Sequence, residues 1–215
     1  MTKALFPQHL LNYSENYTTP EQPQLAALNR ETQMKVHGAQ MLSGHAQGAF
    51  LQMVSHMLKP TRILELGTFT GYSAICLAKG LQPGGVLHTI DIDEELYDMV
   101  HRHIAAAGLE GRIIQHIGNA ADIIPTLDMT FDLVFIDADK GGYCRYYDLV
   151  FDKVSPGGFM LADNVLYEGE VTLPPEQQSK GAKSIQAFND KIKNDPRIEH
   201  MLLPLRDGIM LIRKK

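Results

Sequence analysis

Five side chains able to hold a hard cation or move a proton lie at the ends of two short apolar runs. FDLVFIDADK (131–140) ends with Asp137, Asp139 and Lys140, and GFMLADN (158–164) ends with Asp163 and Asn164. If the two runs are neighbouring strands, the oxygens of Asp137, Asp163 and Asn164 converge at one sheet edge. Two carboxylates and an amide oxygen, without Cys or His, suit Mg2+, Ca2+ or Mn2+ rather than Zn2+. Three protein ligands out of about six leave room for water and for a substrate group with two oxygens. Each Asp has a plainer use on its own, capping the helix that follows its strand, and Lys140 alone reads as a solvated surface charge.

A second group of residues points to a nucleoside. In ILELGTFTGYS (63–73), Gly67 and Gly71 fall where a strand turns into a helix N-terminus. There an open α/β sheet presents backbone N–H groups to a ligand, and glycine lets the chain approach it closely. The spacing G-x-x-x-G matches neither the dinucleotide fingerprint nor the P-loop, so it suits a cofactor without a pyrophosphate. Asp91 follows Gly67 by 24 residues and Gly71 by 20, at the end of the next strand. A carboxylate there either accepts from both ribose hydroxyls or bonds local N–H groups in a turn. Glu65 is an acid inside an apolar strand, expensive to bury unpaired, so it is either bonded structurally or reaches the cofactor. Ser73 either caps its helix or meets the cofactor's carboxylate.

These residues need a scaffold, and the pattern supplies one. RILELG (62–67), VLHTIDI (86–92), RIIQHIG (112–118), FDLVFID (131–137) and GFMLAD (158–163) read as strands. Their near-continuous apolar character predicts a parallel sheet covered on both faces. Between them, YSAICLAKGL (72–81) reads as a helix stopped by Gly80, and EELYDMVHRHIAAAGL (94–109) as one ending at Gly108. The result is a doubly wound α/β unit. IEHMLLPL and IMLIRKK, joined by the turn RDG (206–208), leave no room for a crossover helix and should pair antiparallel. Residues 1–60 read as a helical cover over a Rossmann-like core at 61–215, within one domain spanning 1–215. In SGHAQGAFLQMVSHMLKP the apolar residues recur at helical spacing and Ser43 is the expected cap. YEGEVTLPPEQQSKGAKS (167–184) reads as a loop placed to gate a substrate.

Composition narrows the function classes. The 215 residues carry 20 Lys+Arg against 25 Asp+Glu, a net charge of −5. With no basic run, the chain is a poor candidate for duplex nucleic acid or an anionic membrane. Cys76 and Cys144 belong to no metal or disulfide spacing and fit a reducing cytoplasm. No secretory h-region is legible near the start, and no apolar run is long enough to span a bilayer. The nine histidines form no ligand spacing; His101 and His103 fall on different faces of their helix.

ILELGTFTGYSAICLA, HTIDIDEE, GNAADIIPTL, FDLVFIDADKGGY, MLADNVLY and PLRDGIMLIRK, in this order, resemble the class I S-adenosylmethionine-dependent O-methyltransferases of the caffeoyl-CoA and catechol O-methyltransferase group. The resemblance covers residues 34 to 213 and implies a seven-stranded, mostly parallel sheet with an antiparallel C-terminal hairpin. It implies that Ser43, Glu65, Gly67, Thr68 and Ser73 hold the methionine end of the cofactor, Asp91 the ribose and Ala120 the adenine, with Asp137 and Asp139 close by. Asp137, Asp163 and Asn164 would hold a divalent cation, and Lys140, beside Asp137, would take a phenolic proton. Met41, Lys140 and Tyr167 would face a phenolic acceptor, which Tyr143, Tyr146 and Tyr147 could help to sandwich. Tyr167 stands where the plant enzymes carry Trp, and the segment after ADN is shorter than theirs. The resemblance also implies a homodimer. A nicotinamide-dependent oxidoreductase shares the fold and the ribose acid but predicts a G-x-G-x-x-G turn and a proton relay. Methylation of nucleic-acid bases goes with [ND]-P-P-[YF], where this chain has DADK.

Overall fold

The computed structural model describes residues 7–215. The first six residues of the expected helical cover lie outside that range. Seven strands form one sheet: β1 (Arg62–Leu66), β2 (Val86–Asp91), β3 (Ile113–Ile117), β4 (Phe131–Ile136), β5 (Val154–Asp163), β6 (Ile198–Leu203) and β7 (Ile209–Lys214). The order is β3-β2-β1-β4-β5-β7-β6. The first five strands are parallel, and β7 pairs antiparallel with both β5 and β6. This is a Rossmann-like, doubly wound sheet with an antiparallel end.

Among the described residues eight α-helices cover it: α1 (Gln8–Asn16), α2 (Pro23–Lys35), α3 (Gly44–Leu58), α4 (Tyr72–Ala78), α5 (Tyr97–Ala106), α6 (Ala120–Ile123), α7 (Tyr143–Phe151) and α8 (Lys180–Lys193). Successive strand residues point to opposite faces, and each face has its own helices. Leu64, Leu66, Val134, Ile136 and Met160 pack under α6, α7 and α8. Ile63, Leu87, Leu133, Phe135 and Leu161 pack under α2, α3, α4 and α5. Each fully buried side chain of this size stabilises the fold by roughly 1.5–3 kcal/mol, so both faces must be covered and the strands read as near-continuous apolar runs. Among the described residues no helix is long and apolar enough to cross a membrane.

Several boundaries differ from the sequence reading. β5 begins at Val154 rather than 158, running through Pro156 and through Gly157 at φ +78°, with a register shift against β4. The segment 167–184 is only partly a loop, since it opens with a 3₁₀ stretch (Tyr167–Thr172) and its last five residues begin α8, capped by the Ser179 hydroxyl. Ser43 does precede α3, but it has helical backbone angles and makes no side-chain cap. Gly80 lies two residues past α4, where a Cβ would fall 2.2 Å from the Ser55 carbonyl carbon of α3. Both cysteines are free.

Candidate active site

The carboxyl ends of β1, β2, β4 and β5 open into a crevice of about 1200 Å³. Its first wall is the turn after β1. Gly67 has φ +96°, and a Cβ there would sit 1.9 Å from the Asp137 carbonyl oxygen at the end of β4. Glycine is therefore required because the two strand ends touch, independently of any ligand. Gly71, at φ +87°, delivers the chain into α4. Asp91 ends β2 with its carboxylate on the crevice, and its oxygens accept from the Phe69 N–H (2.7 Å) and the Asp93 N–H (3.0 Å). Both uses considered for Asp91 are thus open to it: it braces the turn, and each oxygen keeps a second lone pair.

Glu65 has no exposed surface. The Thr68 hydroxyl donates to the Thr89 hydroxyl (2.5 Å), which donates to Glu65 Oε2 (2.6 Å). Oε1 has no partner. Burial pushes this carboxyl up to about 8, with the Ser73 and Thr89 hydroxyls opposing the rise and the charges of Asp137 and Asp91 adding to it. Glu65 itself does not line the crevice, but Thr68 and Ser73 in front of it do.

At the other end, Asp137, Lys140, Asp163 and Asn164 share the crevice. Lys140 Nζ donates to Asp137 Oδ1 (2.9 Å) and to the Tyr143 hydroxyl (2.8 Å), which in turn donates to the Asp163 carbonyl oxygen (2.9 Å). Asp163 is 4% exposed. Its Oδ1 accepts from the Asn164 N–H (2.8 Å) and its Oδ2 from Gln47 Nε2 of α3 (2.6 Å). Burial and the charge of Asp137 push the Asp163 carboxyl upward, and Gln47 opposes them. Asn164 adopts φ +58°, and its Nδ2 donates to Asp207 (3.3 Å), which leaves Oδ1 as a free acceptor. Among the described residues no three His, Cys, Asp or Glu side chains cluster as a metal site; the candidate donor set is two carboxylates and this amide.

The model of a family described as O-methyltransferase matches residues 14–215. The chain belongs to the O-methyltransferase family. A probable caffeoyl-CoA O-methyltransferase 2 of Dictyostelium discoideum is 32% identical over 221 residues, covering 99% of this chain and 94% of the relative. Caffeoyl-CoA O-methyltransferase 1 of Eucalyptus globulus is also 32% identical, covering 96% of this chain and 87% of its own length. Among solved structures, the SAH-bound methyltransferase PaMTH1 of Podospora anserina superposes with a TM-score of 0.89 at 26% identity, covering 99% of each chain. The O-methyltransferase TomG of Streptomyces achromogenes, in complex with SAM, gives 0.88 at 28% identity, with 96% of each chain covered.

In this O-methyltransferase, Ser43, Gly67, Thr68, Ser73, Asp91, Ala120, Asp137 and Asp139 all line the crevice, as do Met41, Lys140, Asp163 and Asn164. Met41 does so from an exposed 3₁₀ turn (Ala39–Met41) ahead of α3. Tyr167, read as facing the acceptor, does not line it. Its backbone is left-handed at φ +46°, and its hydroxyl lies 2.1 Å from where a Cβ of Gly181 in α8 would be. Of the other tyrosines, Tyr146 lines the crevice and donates to Asp139, whereas Tyr147 is buried and donates to Asp195. Gln47 and Asp207 were not singled out from the sequence. Gln47 carries a readable signal, a polar residue on the inward face of α3 four positions before Leu51. Asp207 reads only as part of a turn.

Proposed function

We propose that this O-methyltransferase uses S-adenosylmethionine to methylate a hydroxyl of a catechol-type phenol, with a divalent cation held by Asp137, Asp163 and Asn164. The observation that carries the reading is that those three side chains line one crevice with Asp91 and with Lys140, which bonds Asp137. The residues suit both groups. The Asp91 oxygens face the crevice where ribose hydroxyls can donate, and the unpartnered Glu65 Oε1, a group costing about 1–3 kcal/mol when left unsatisfied, gives an ammonium group an acceptor behind Ser73. At the other end, among the described residues, Lys140 is the cation that pairs with Asp137, and its charge also opposes the rise at the Asp163 carboxyl. Once it gives up its proton, both charges need another counterion, and the free Asn164 oxygen completes a hard donor set. The relatives named for caffeoyl-CoA, whose ring is a catechol, and the SAM- and SAH-bound structures support the same assignment.

S-adenosylmethionine, when bound, supplies an electrophilic methyl on a sulfonium, and the cation, when bound, supplies Lewis-acid stabilisation of a phenolate. The chain's own residues do the rest. Lys140 Nζ, held by Asp137 and Tyr143, takes the phenolic proton as the oxygen attacks. Asp91 and the Gly67 turn fix the cofactor at one end while Asp163 and Asn164 fix the acceptor at the other. Holding the reacting atoms about 3 Å apart supplies much of the rate. We extend the reading to a homodimer in the cytoplasm acting on a small phenol rather than on nucleic acid or a membrane.

The test is transfer of labelled methyl from S-adenosylmethionine to catechol, caffeate, caffeoyl-CoA and flavonoids, with chelator and with Mg2+, Mn2+ or Ca2+ restored. Cation-dependent catechol methylation is expected, and Asp163→Ala should mimic the chelator. Full turnover in chelator would remove the cation from the reading, and no transfer to any catechol would remove the acceptor.

A further inference from the structure

Gln47 is 1% exposed, on the face of α3 that also buries Gly48, Leu51, Val54 and Ser55. A primary amide is costly to bury unless it is bonded, and an apolar side chain would fill the same space more cheaply. Packing therefore does not account for it; the Asp163 carboxylate does. Gln47 Nε2 reaches Asp163 Oδ2 at 2.6 Å across 116 residues of sequence, while Oδ1 is held by the Asn164 N–H at 2.8 Å. With one bond on each oxygen the carboxylate cannot rotate, and each oxygen keeps a lone pair for another partner. An acid in place of Gln47 would add a third negative charge beside Asp137 and Asp163. The amide donates without adding charge, so the pair stays at two, the number that one divalent cation neutralises.

We infer that Gln47 is a positioning residue that sets the orientation of Asp163 and holds the cation site at two carboxylates. The inference rests on the cation reading above. It also gives the segment ahead of α3 a fixed register on the sheet, because Met41 and Ser43, which line the crevice, lie four to six residues before the anchor.

The experiment is a calorimetric Mn2+ titration without acceptor, comparing the wild type with Gln47→Met, which keeps the length and removes the donor. Losing an outer partner of a metal ligand typically weakens binding 10–100-fold. Mn2+ affinity should fall by at least about ten-fold, while S-adenosylmethionine affinity, measured in parallel, stays within about two-fold and reports an intact fold. Equal Mn2+ affinity in the two proteins overturns the role of Gln47 and leaves the cation reading standing; a wild type that binds no Mn2+ overturns both. A measurement on the unmodified protein covers a variant that fails to fold: the Gln47 side-chain amide resonances should shift as Mg2+ is added. Resonances that stay fixed while Mg2+ binds refute the proposal.

Discussion

Replacing Gly67 with alanine puts a methyl group 1.9 Å from the Asp137 carbonyl oxygen. Ordinary contact begins near 3.4 Å, so the ends of β1 and β4 must part by about 1.5 Å, a distance that close-packed interiors do not absorb locally. Two costs combine. A side chain at φ +96° carries strain of roughly 1–3 kcal/mol, and forced overpacking adds roughly 1–3 kcal/mol. Stability should therefore fall by about 2–6 kcal/mol. Asp137 rides on the displaced backbone, and a 1 Å error in a reacting geometry costs about 100-fold in rate, so kcat should fall at least that far. The assay is urea unfolding followed by far-ultraviolet circular dichroism, since the chain has no Trp, together with methyl-transfer rates. Gly84→Ala is the matched control, because Gly84 has φ +75° with nothing within 4 Å of its Cβ position. If Gly67→Ala costs no more than Gly84→Ala and keeps its rate within about three-fold, the strand-contact argument is wrong.

Glu65 holds its proton to higher pH in the folded protein than in the unfolded chain, so its contribution is complete below about 4.5 and is lost as pH rises through about 8. Ligand-free protein should lose up to about 1.4 kcal/mol per pH unit from this group between those limits, and Glu65→Gln should flatten the slope; parallel urea midpoints at pH 5, 6.5 and 8 in the two proteins would contradict this. Tyr143→Phe removes a hydroxyl bonded to Lys140 and to the Asp163 carbonyl. It should cost about 1–3 kcal/mol of stability and lower kcat more than it changes the acceptor KM, as thermal melts and steady-state rates would show. Asp91→Ala should weaken S-adenosylmethionine binding at least about ten-fold, since two charge-assisted hydrogen bonds are lost; undiminished affinity by calorimetry would take Asp91 out of the cofactor site.

The strands were legible because β1, β2, β4 and β5 are covered on both faces and so carry near-continuous apolar runs, and Asp91, Asp137 and Asp163 stood out as acids at the ends of β2, β4 and β5. What stayed hidden depends on which elements are neighbours. His88 and His116 look unrelated along the chain, yet β2 and β3 pair and bring their ring nitrogens to 2.9 Å. Gln47 meets Asp163 only because α3 crosses the tip of β5. Tyr167 was read from its place after ADN, but a left-handed backbone at that residue turns its ring toward α8, and no propensity of tyrosine announces that. Gly67 reads as a close approach of the backbone to a ligand, and the Asp137 carbonyl is a second neighbour that the sequence did not announce, since a strand-end glycine looks the same whether it spares room for a ligand or for its own chain.

The position of β7 between β5 and β6 bears on the order in which the molecule assembles. β6 is made before β7, yet among the described residues β7 is its one partner in the sheet, so during synthesis β6 has nothing to pair with and β5 keeps an open edge until Ile209–Lys214 emerges. One strand entering late completes both ladders: its pairing with β6 is a local hairpin, and its pairing with β5, made across the α8 connection, is the non-local step of the slow kind. The same dependence persists in the finished protein: β6 can fray while β7 stays, but β7 cannot leave without releasing β6. Amide protons of β6 should therefore never outlast those of β7 in hydrogen exchange.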